Sequence, residues 1–211
     1  MMLIGLCGGS GSGKSTLIGM LKEEFPEQIS VIDMDNYYIS RDELPLEERR
    51  QVNYDVPESL DWEYMMNDIQ KLKDGEIIEQ PQFSFMTYER IDDTVKTMPA
   101  PILIVDGIFS LHNEALRNLY DLKVFVDVEP DVRLARRMIR NMERYGRTAE
   151  FEIEQYFGKV RPMHNKYVEP CKEYADLILS FYEKERLSLK PLIEVVKSRN
   201  AEIDRNSKEL I

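Results

Sequence analysis

The chain has 211 residues, 43% of them apolar and 32% charged, with a formal net charge of −11. That length is enough to bury a core in one domain without cross-links, and the composition excludes a disordered chain. The acidic excess excludes a broad nucleic-acid or anionic-membrane surface, since both need clustered Lys and Arg, so an anionic ligand must be held by local groups. Cys7 and Cys171 are the only cysteines and have no metal-ligand spacing, which fits a reducing compartment. No run reaches ~18 apolar residues, and the first residues lack the basic and apolar blocks of a signal peptide. A single cytoplasmic domain spanning 1–211, without nucleic-acid or membrane partners, is the expectation.

In chain order, apolar runs predict strands at Leu3 to Cys7, Ile29 to Ile32, Ile102 to Val105, Leu122 to Val128 and Leu177 to Leu179. Helical spacing predicts helices at about Lys14 to Glu24, Asp61 to Lys73, Glu114 to Leu119 and Asp131 to Tyr145. Two more are predicted at Glu150 to Tyr174, bent at Pro162, and at Leu187 to Asn200, before a polar tail that continues the helix or frays. Strands alternating with helices predict an α/β fold, a parallel sheet of about five strands covered on both faces. Residues 77–98 break the rhythm and predict a β-hairpin lobe, while the Arg-rich stretch at about 131–160 predicts a helical lid. Trp62, Tyr64 and Met65 recur at helical spacing, as core residues do. His112 and His164 have no ligand partner at useful spacing and are expected to be structural.

Gly8-Gly9-Ser10-Gly11-Ser12-Gly13-Lys14-Ser15 satisfies G-x-x-x-x-G-K-[ST] between an apolar strand and a helix carrying Leu17, Ile18 and Leu21, as a P-loop requires. Glycines there let backbone N–H groups turn toward phosphate oxygens, and the helix N-terminus adds positive potential. Gly8, Ser10, Gly11, Ser12, Gly13, Lys14, Ser15 and Thr16 are the predicted nucleotide-binding residues, with Lys14 on the β- and γ-phosphates and Ser15 on Mg²⁺. Asp106 ends an apolar strand where such proteins place the acid of the Mg²⁺ shell, touching the ion directly or through a water.

Transfer to a hydroxyl needs a group that takes the acceptor proton opposite the γ-phosphate. Asp35 is well placed just beyond the second strand, and spacing alone does not separate it from Asp33. Arg133, Arg136, Arg137, Arg140 and Arg144 lie three or four apart and line one side of a helix. Arg137, Arg140 and, beyond them, Arg147 are expected to face the triphosphate, with Arg133 and Arg144 solvated and paired to nearby Glu.

From Gly5 to about Ser180 the chain resembles the uridine-cytidine kinase family of the phosphoribulokinase/uridine kinase group. After the P-loop, the resemblance is carried in order by Asp35-Asn36-Tyr37-Tyr38, Asn53-Tyr54-Asp55-Val56-Pro57, Asp106-Gly107-Ile108, Phe125-Val126-Asp127 and Arg136-Arg137-Met138-Ile139-Arg140. It implies that Asp35 is the catalytic base and a magnesium-shell group. It further implies that Asp55 accepts hydrogen bonds from the ribose 2′- and 3′-hydroxyls, that Arg137 lies near the acceptor and transferred phosphate, and that Gln155 lies near the base. The implied reaction is transfer from ATP or GTP, with Mg²⁺, to the 5′-hydroxyl of uridine or cytidine by a homo-oligomer.

Some positions depart from the family pattern. Phe83 and Tyr88 stand where the hairpin normally carries Tyr and His to read the pyrimidine, although Arg90 matches. Asp106 replaces the usual Glu, Tyr145 replaces a lid Arg, and Ser180-Phe181-Tyr182 replaces Pro-Arg-Gly after the last strand. Another small acceptor, such as a different riboside or a sugar phosphate, is therefore an alternative, as is a non-catalytic nucleotide-binding regulator.

Overall fold

A computed structural model of the chain describes residues 1–180 and 189–209, the last ten as backbone only. The elements are β1 (Met2–Cys7), α1 (Lys14–Glu24), β2 (Ile29–Asp33), α2 (Leu46–Arg49), α3 (Trp62–Lys73), β3 (Ile78–Ser84), β4 (Glu89–Thr97) and β5 (Ile102–Asp106). They continue with α4 (Glu114–Arg117), β6 (Leu122–Asp127), α5 (Pro130–Tyr145), α6 (Ala149–Gln155), α7 (Arg161–Met163), β7 (Leu177–Ser180) and α8 (Lys190–Glu209).

The strands β2-β5-β1-β6-β7 form one five-stranded sheet in that order, every pair parallel. All six residues of β1 are buried because alternate side chains enter two different cores. Leu3 and Cys7 join Leu103, Val105 and Phe125 against Met65, Ile69 and Phe109 on one face. Met2, Ile4 and Leu6 join Ile102, Ile104 and Val124 against Leu17 and Leu21 of α1 and Leu192 and Val196 of α8 on the other. The five predicted strands are all present, and the predicted end at Val128 retreats to Asp127 as the chain turns toward Pro130.

Strands β3 and β4 pair antiparallel as a separate hairpin with a register shift between Gln80 and Gln82. Pro81 sits at that shift, since proline has no N–H to give to a ladder. Gln80 ties the hairpin to β2, its Oε1 accepting from Asp33 N at 2.9 Å and its Nε2 donating to Val31 O at 3.2 Å.

The predicted helix from Glu150 to Tyr174 is not continuous. After α6, π turns at Tyr156–Val160 and His164–Val168 flank α7, and a 3₁₀ stretch Glu169–Tyr174 follows. Pro162 and Pro170 remove donors from the i→i−4 ladder, so the path stays helical while its register changes. The predicted start at Leu187 lies outside the described residues, whereas the polar tail continues α8 to Glu209. Trp62 and Tyr64 are partly buried against the first core and Met65 is fully buried in it. Among the described residues no helix is long and apolar enough to cross a membrane. Cys7 and Cys171 are both buried free thiols.

Candidate active site

The site begins where β1 passes into α1. Gly11 and Gly13 have φ of 83° and 94°, in the left-handed region that side chains disfavour. A Cβ on Gly11 would also lie 2.3 Å from the Arg133 carbonyl oxygen. Gly11→Ala is therefore expected to cost about 1–3 kcal/mol and to open the loop, lowering the thermal midpoint and weakening nucleotide binding measured by calorimetry. Gly13 starts α1 without a side-chain cap, so the N–H groups of its first turn are available to an anion. Lys14 Nζ donates to Gly8 O at 2.8 Å and lies 4.0 Å from Asp106 Oδ1. A cavity of about 310 Å³ opens here, lined by residues 10–16 together with Asp33, Asp35, Asp106, Arg136 and Arg140.

Parallel pairing places Asp33 and Asp106 side by side at the ends of β2 and β5. Asp33 Oδ1 caps the short helix Met34–Tyr37 by accepting from Asp35 N at 3.0 Å, which projects Asp35 from a fixed turn. Burial pushes the Asp106 carboxyl up to about 6, against the pull of Lys14. Desolvation also raises Asp33, and the charges of Asp35 and Asp106 raise it further. The Asp33 side chain is exposed on the cleft.

Asp106 Oδ1 and Ser12 Oγ are buried without a hydrogen-bond partner. Hard oxygens with unused lone pairs suit Mg²⁺, which keeps several waters and takes few protein ligands. Among the described residues there is no cluster of three or more His, Cys, Asp or Glu able to hold a metal by itself. The residues therefore fit an ion that completes its shell with water and phosphate, not a closed protein cage.

A second cavity of about 410 Å³ lies between the Asp35 turn, the hairpin and the lid. Both cavities are lined by Ser10, Ser15, Asp33, Asp35, Ile108 and Arg140, so they meet at the end of the glycine loop. Helix α5 reaches this junction, Arg137 Nη1 donating to Ser10 Oγ at 3.0 Å and Arg140 Nη2 at 3.4 Å. Behind these arginines is Glu152, with no exposed surface. Its Oε2 accepts from Asn141 Nδ2 at 2.8 Å and Arg137 Nε at 3.3 Å, and its Oε1 from Arg147 Nη1 at 3.1 Å.

Of the predicted residues, Ser10, Gly11, Ser12, Gly13, Lys14, Ser15, Thr16, Asp35, Asp106 and Arg140 surround the first cavity, with Gly8 behind them accepting from Lys14. Asp55, Phe83, Arg137 and Arg147 line the second. Arg147 thus stands on the hairpin side, its Nη2 donating to Phe85 O at 3.1 Å and to Tyr88 Oη at 2.7 Å. Burial raises the Asp55 carboxyl, with Arg137 pulling it back. Tyr88, Arg90 and Gln155 line neither cavity. Tyr88 is buried, stacked on Tyr54, and its hydroxyl is engaged by Arg147. Arg90 pairs with Phe83 across the hairpin, but its guanidinium is held away from the cavity by bonds to Tyr37 O and Asp61 Oδ2.

Arg133 is not solvated. It is buried beneath the glycine loop, donating to Val128 O at 2.9 Å and lying 3.2 Å from His164 Nε2. Arg144 lines the second cavity and lies over Tyr145. His112 packs edge-on to Phe109 and Tyr167. His164 is buried, and desolvation with Arg133 lowers it to about 4. An unfolded His binds its proton near pH 6.5, so the unfolded chain takes up more protons between those values and stability falls as pH drops from about 6.5 toward 4. His164→Gln is expected to flatten that acid slope in melts at pH 7, 6 and 5.

Sequence reasoning passed over Tyr38, Tyr54, Asn141 and Glu152 as site residues. Tyr38 and Tyr54 were legible only as parts of motifs, and nothing in Glu150, Glu152 and Glu154 marks the middle one as buried.

Solved structures similar in fold include a putative fructose transport system kinase from Silicibacter, with TM-score 0.66 and 22% identity, covering 84% of this chain and 88% of that one. Another is phosphoribulokinase from Rhodobacter spheroides, with TM-score 0.60 and 12% identity, covering 87% and 72%. In sequence the chain is 43% identical over 179 residues to a uridine kinase of Geobacillus kaustophilus, 84% of this chain and 85% of that one. It is 39% identical over 197 residues to a uridine kinase of Clostridium botulinum, 93% and 96% of the two chains. The model of the phosphoribulokinase/uridine kinase family matches residues 3–188, and with that span and those relatives the chain belongs to this family of kinases.

Proposed function

We propose that the chain transfers the γ-phosphoryl group of ATP, or of GTP, to the 5′-hydroxyl of uridine or cytidine, as a magnesium-dependent cytoplasmic homo-oligomer. The observation that carries this reading is the meeting of two cavities at Asp35 and Ser10, one with a glycine-loop floor and one roofed by hairpin and lid. The relatives named uridine kinase supply the acceptor class.

In this reading Lys14 and the loop N–H groups hold the terminal phosphates, and Arg137 and Arg140 gather the charge that spreads over the phosphoryl oxygens. Ser15 and Asp106, with Asp35 beside them, would hold Mg²⁺, which would offset the charge of the terminal phosphates. Asp35 takes the proton of the acceptor hydroxyl, presented by the turn that Asp33 caps. Asp55 accepts from the ribose hydroxyls and Phe83 stacks on the base, with Gln155 and Arg90 supporting the walls behind. The lid closes over the phosphates and keeps water from competing with the acceptor.

Steady-state phosphorylation with Mg-ATP and Mg-GTP, across uridine, cytidine, their deoxy forms, purine ribosides and sugar phosphates, tests the reading. Turnover of uridine or cytidine with weak deoxy activity supports it; nucleotide binding without pyrimidine turnover refutes it. One observation favours a second reading, another small acceptor. Tyr88 lines neither cavity and its hydroxyl is engaged by Arg147, so it reads no pyrimidine edge.

A further inference from the structure

Glu152 has no exposed surface, and a buried carboxylate is costly unless each oxygen is matched by donors. Here both are: Arg147 holds Oε1, while Arg137 and Asn141 share Oε2. The way the two guanidiniums share this one acid decides what their remaining edges do. Arg137 spends Nε on Glu152 and turns Nη1 to Ser10 Oγ at 3.0 Å, at the junction of the two cavities. Arg147 spends Nη1 on Glu152 and turns Nη2 to Phe85 O and Tyr88 Oη, in the hairpin turn that bounds the second cavity. Asn141, which donates to Glu152 through Nδ2, accepts from Arg140 Nε at its Oδ1 at 3.1 Å, so the second arginine at the glycine loop is set from the same point.

We propose that Glu152 is a positioning residue that couples the hairpin of the acceptor cavity to the arginines facing the phosphates. Closure of the hairpin on an acceptor moves Arg147, and the shared carboxylate carries that displacement to Arg137 and Ser10. A planar guanidinium held at Nε has its outer edge aimed, which a point charge on a flexible stem would not have. One carboxylate against two guanidiniums also leaves the lid a net positive charge for the phosphates. The inference rests on the phosphoryl-transfer reading of this site, with any hydroxyl acceptor.

The test is Glu152→Gln, which keeps size but offers one neutral acceptor and sets an amide N–H against a guanidinium. We expect kcat to fall about 10- to 100-fold with KM for ATP changed less than about threefold, because misaimed transition-state groups cost turnover more than ground-state binding. The ratio of acceptor-independent ATP hydrolysis to transfer should rise at least about tenfold as the lid loses its link to the acceptor lobe. In NMR spectra with Mg-ATP, the Arg137 Nε–H signal, identified by its loss in Arg137→Lys, should be protected in the parent chain and exchange-broadened in Glu152→Gln. A variant with the parent's kcat within twofold, or with that signal still protected, overturns the proposal, as does a loss of kcat that only tracks the folded fraction.

Should Glu152→Gln not fold, Tyr88→Phe probes the other end of the relay, removing only the hydroxyl that accepts from Arg147. It should lower kcat about three- to tenfold and increase uncoupled hydrolysis, and unchanged values for both would sink the relay. If the parent phosphorylates no pyrimidine riboside, the proposed acceptor fails. The Arg137 signal and the hydrolysis ratio with whichever acceptor turns over still decide the role of Glu152.

Discussion

Asp35→Asn is expected to lower single-turnover phosphoryl transfer by about 10²–10⁴-fold, the range for losing a positioned general base. Mg-ATP binding by calorimetry should stay within about threefold, since the loop and Lys14 that grip the phosphates are untouched. The substitution preserves shape and removes the charge that takes the proton and stands beside the proposed magnesium site, at a residue lining both cavities. Asp33 is a poor substitute because its Oδ1 is held by the N–H of Asp35. Asp33→Asn should cost less, because Asn still caps a short helix through its own Oδ1. A parent-like rate for Asp35→Asn, with Asp33→Asn the slower enzyme, would reverse the two roles.

Asp55→Ala carries the other large effect. Two charge-assisted hydrogen bonds to ribose hydroxyls, about 1.5–3 kcal/mol each, predict a fall in kcat/KM for the riboside of roughly 10²-fold or more. The deoxyriboside, which lacks one partner, should lose much less, so the preference for ribose collapses. Competition kinetics between riboside and deoxyriboside measure this directly. Asp55 is well suited to the part because Asn53 Oδ1 already accepts from Asp55 N at 3.0 Å, making the turn without using the Asp55 carboxylate. Equal losses for the two sugars would mean that Asp55 only shapes the loop.

Strands and phosphate loop were legible because both are local. A fully buried parallel strand needs an uninterrupted apolar run, and the glycine loop needs its glycines within a few residues of Lys14. The hairpin was legible as a break in rhythm, although its turn holds Tyr88 at φ 55°, which no turn residue in the sequence announces. The arginine stripe of α5 was visible, but its division of labour was not. Arg133 lies one turn before Arg137, yet it bonds beneath the loop to Val128 O while Arg137 reaches over the loop to Ser10. Spacing places both on one helix, and only the position of the loop against that helix separates them. Tyr88 and Arg90 failed to join the cavity for a similar reason: distant groups hold them, Arg147 the Tyr88 hydroxyl, and Tyr37 O with Asp61 the Arg90 guanidinium.

By itself the sequence determined the α/β class, the strand set, the glycine loop with Lys14 and Ser15, and the acids ending β2 and β5, because each depends on neighbours along the chain. Only the tertiary structure decided which acid caps a helix and which projects, and which arginine reaches the glycine loop, the hairpin or the core. It also singled out Glu152, from three alternating glutamates, as the one with no exposed surface. Those outcomes depend on distant segments, α6 against α5 and the hairpin against the lid, and on the need of a buried charge for partners that the linear order does not reveal.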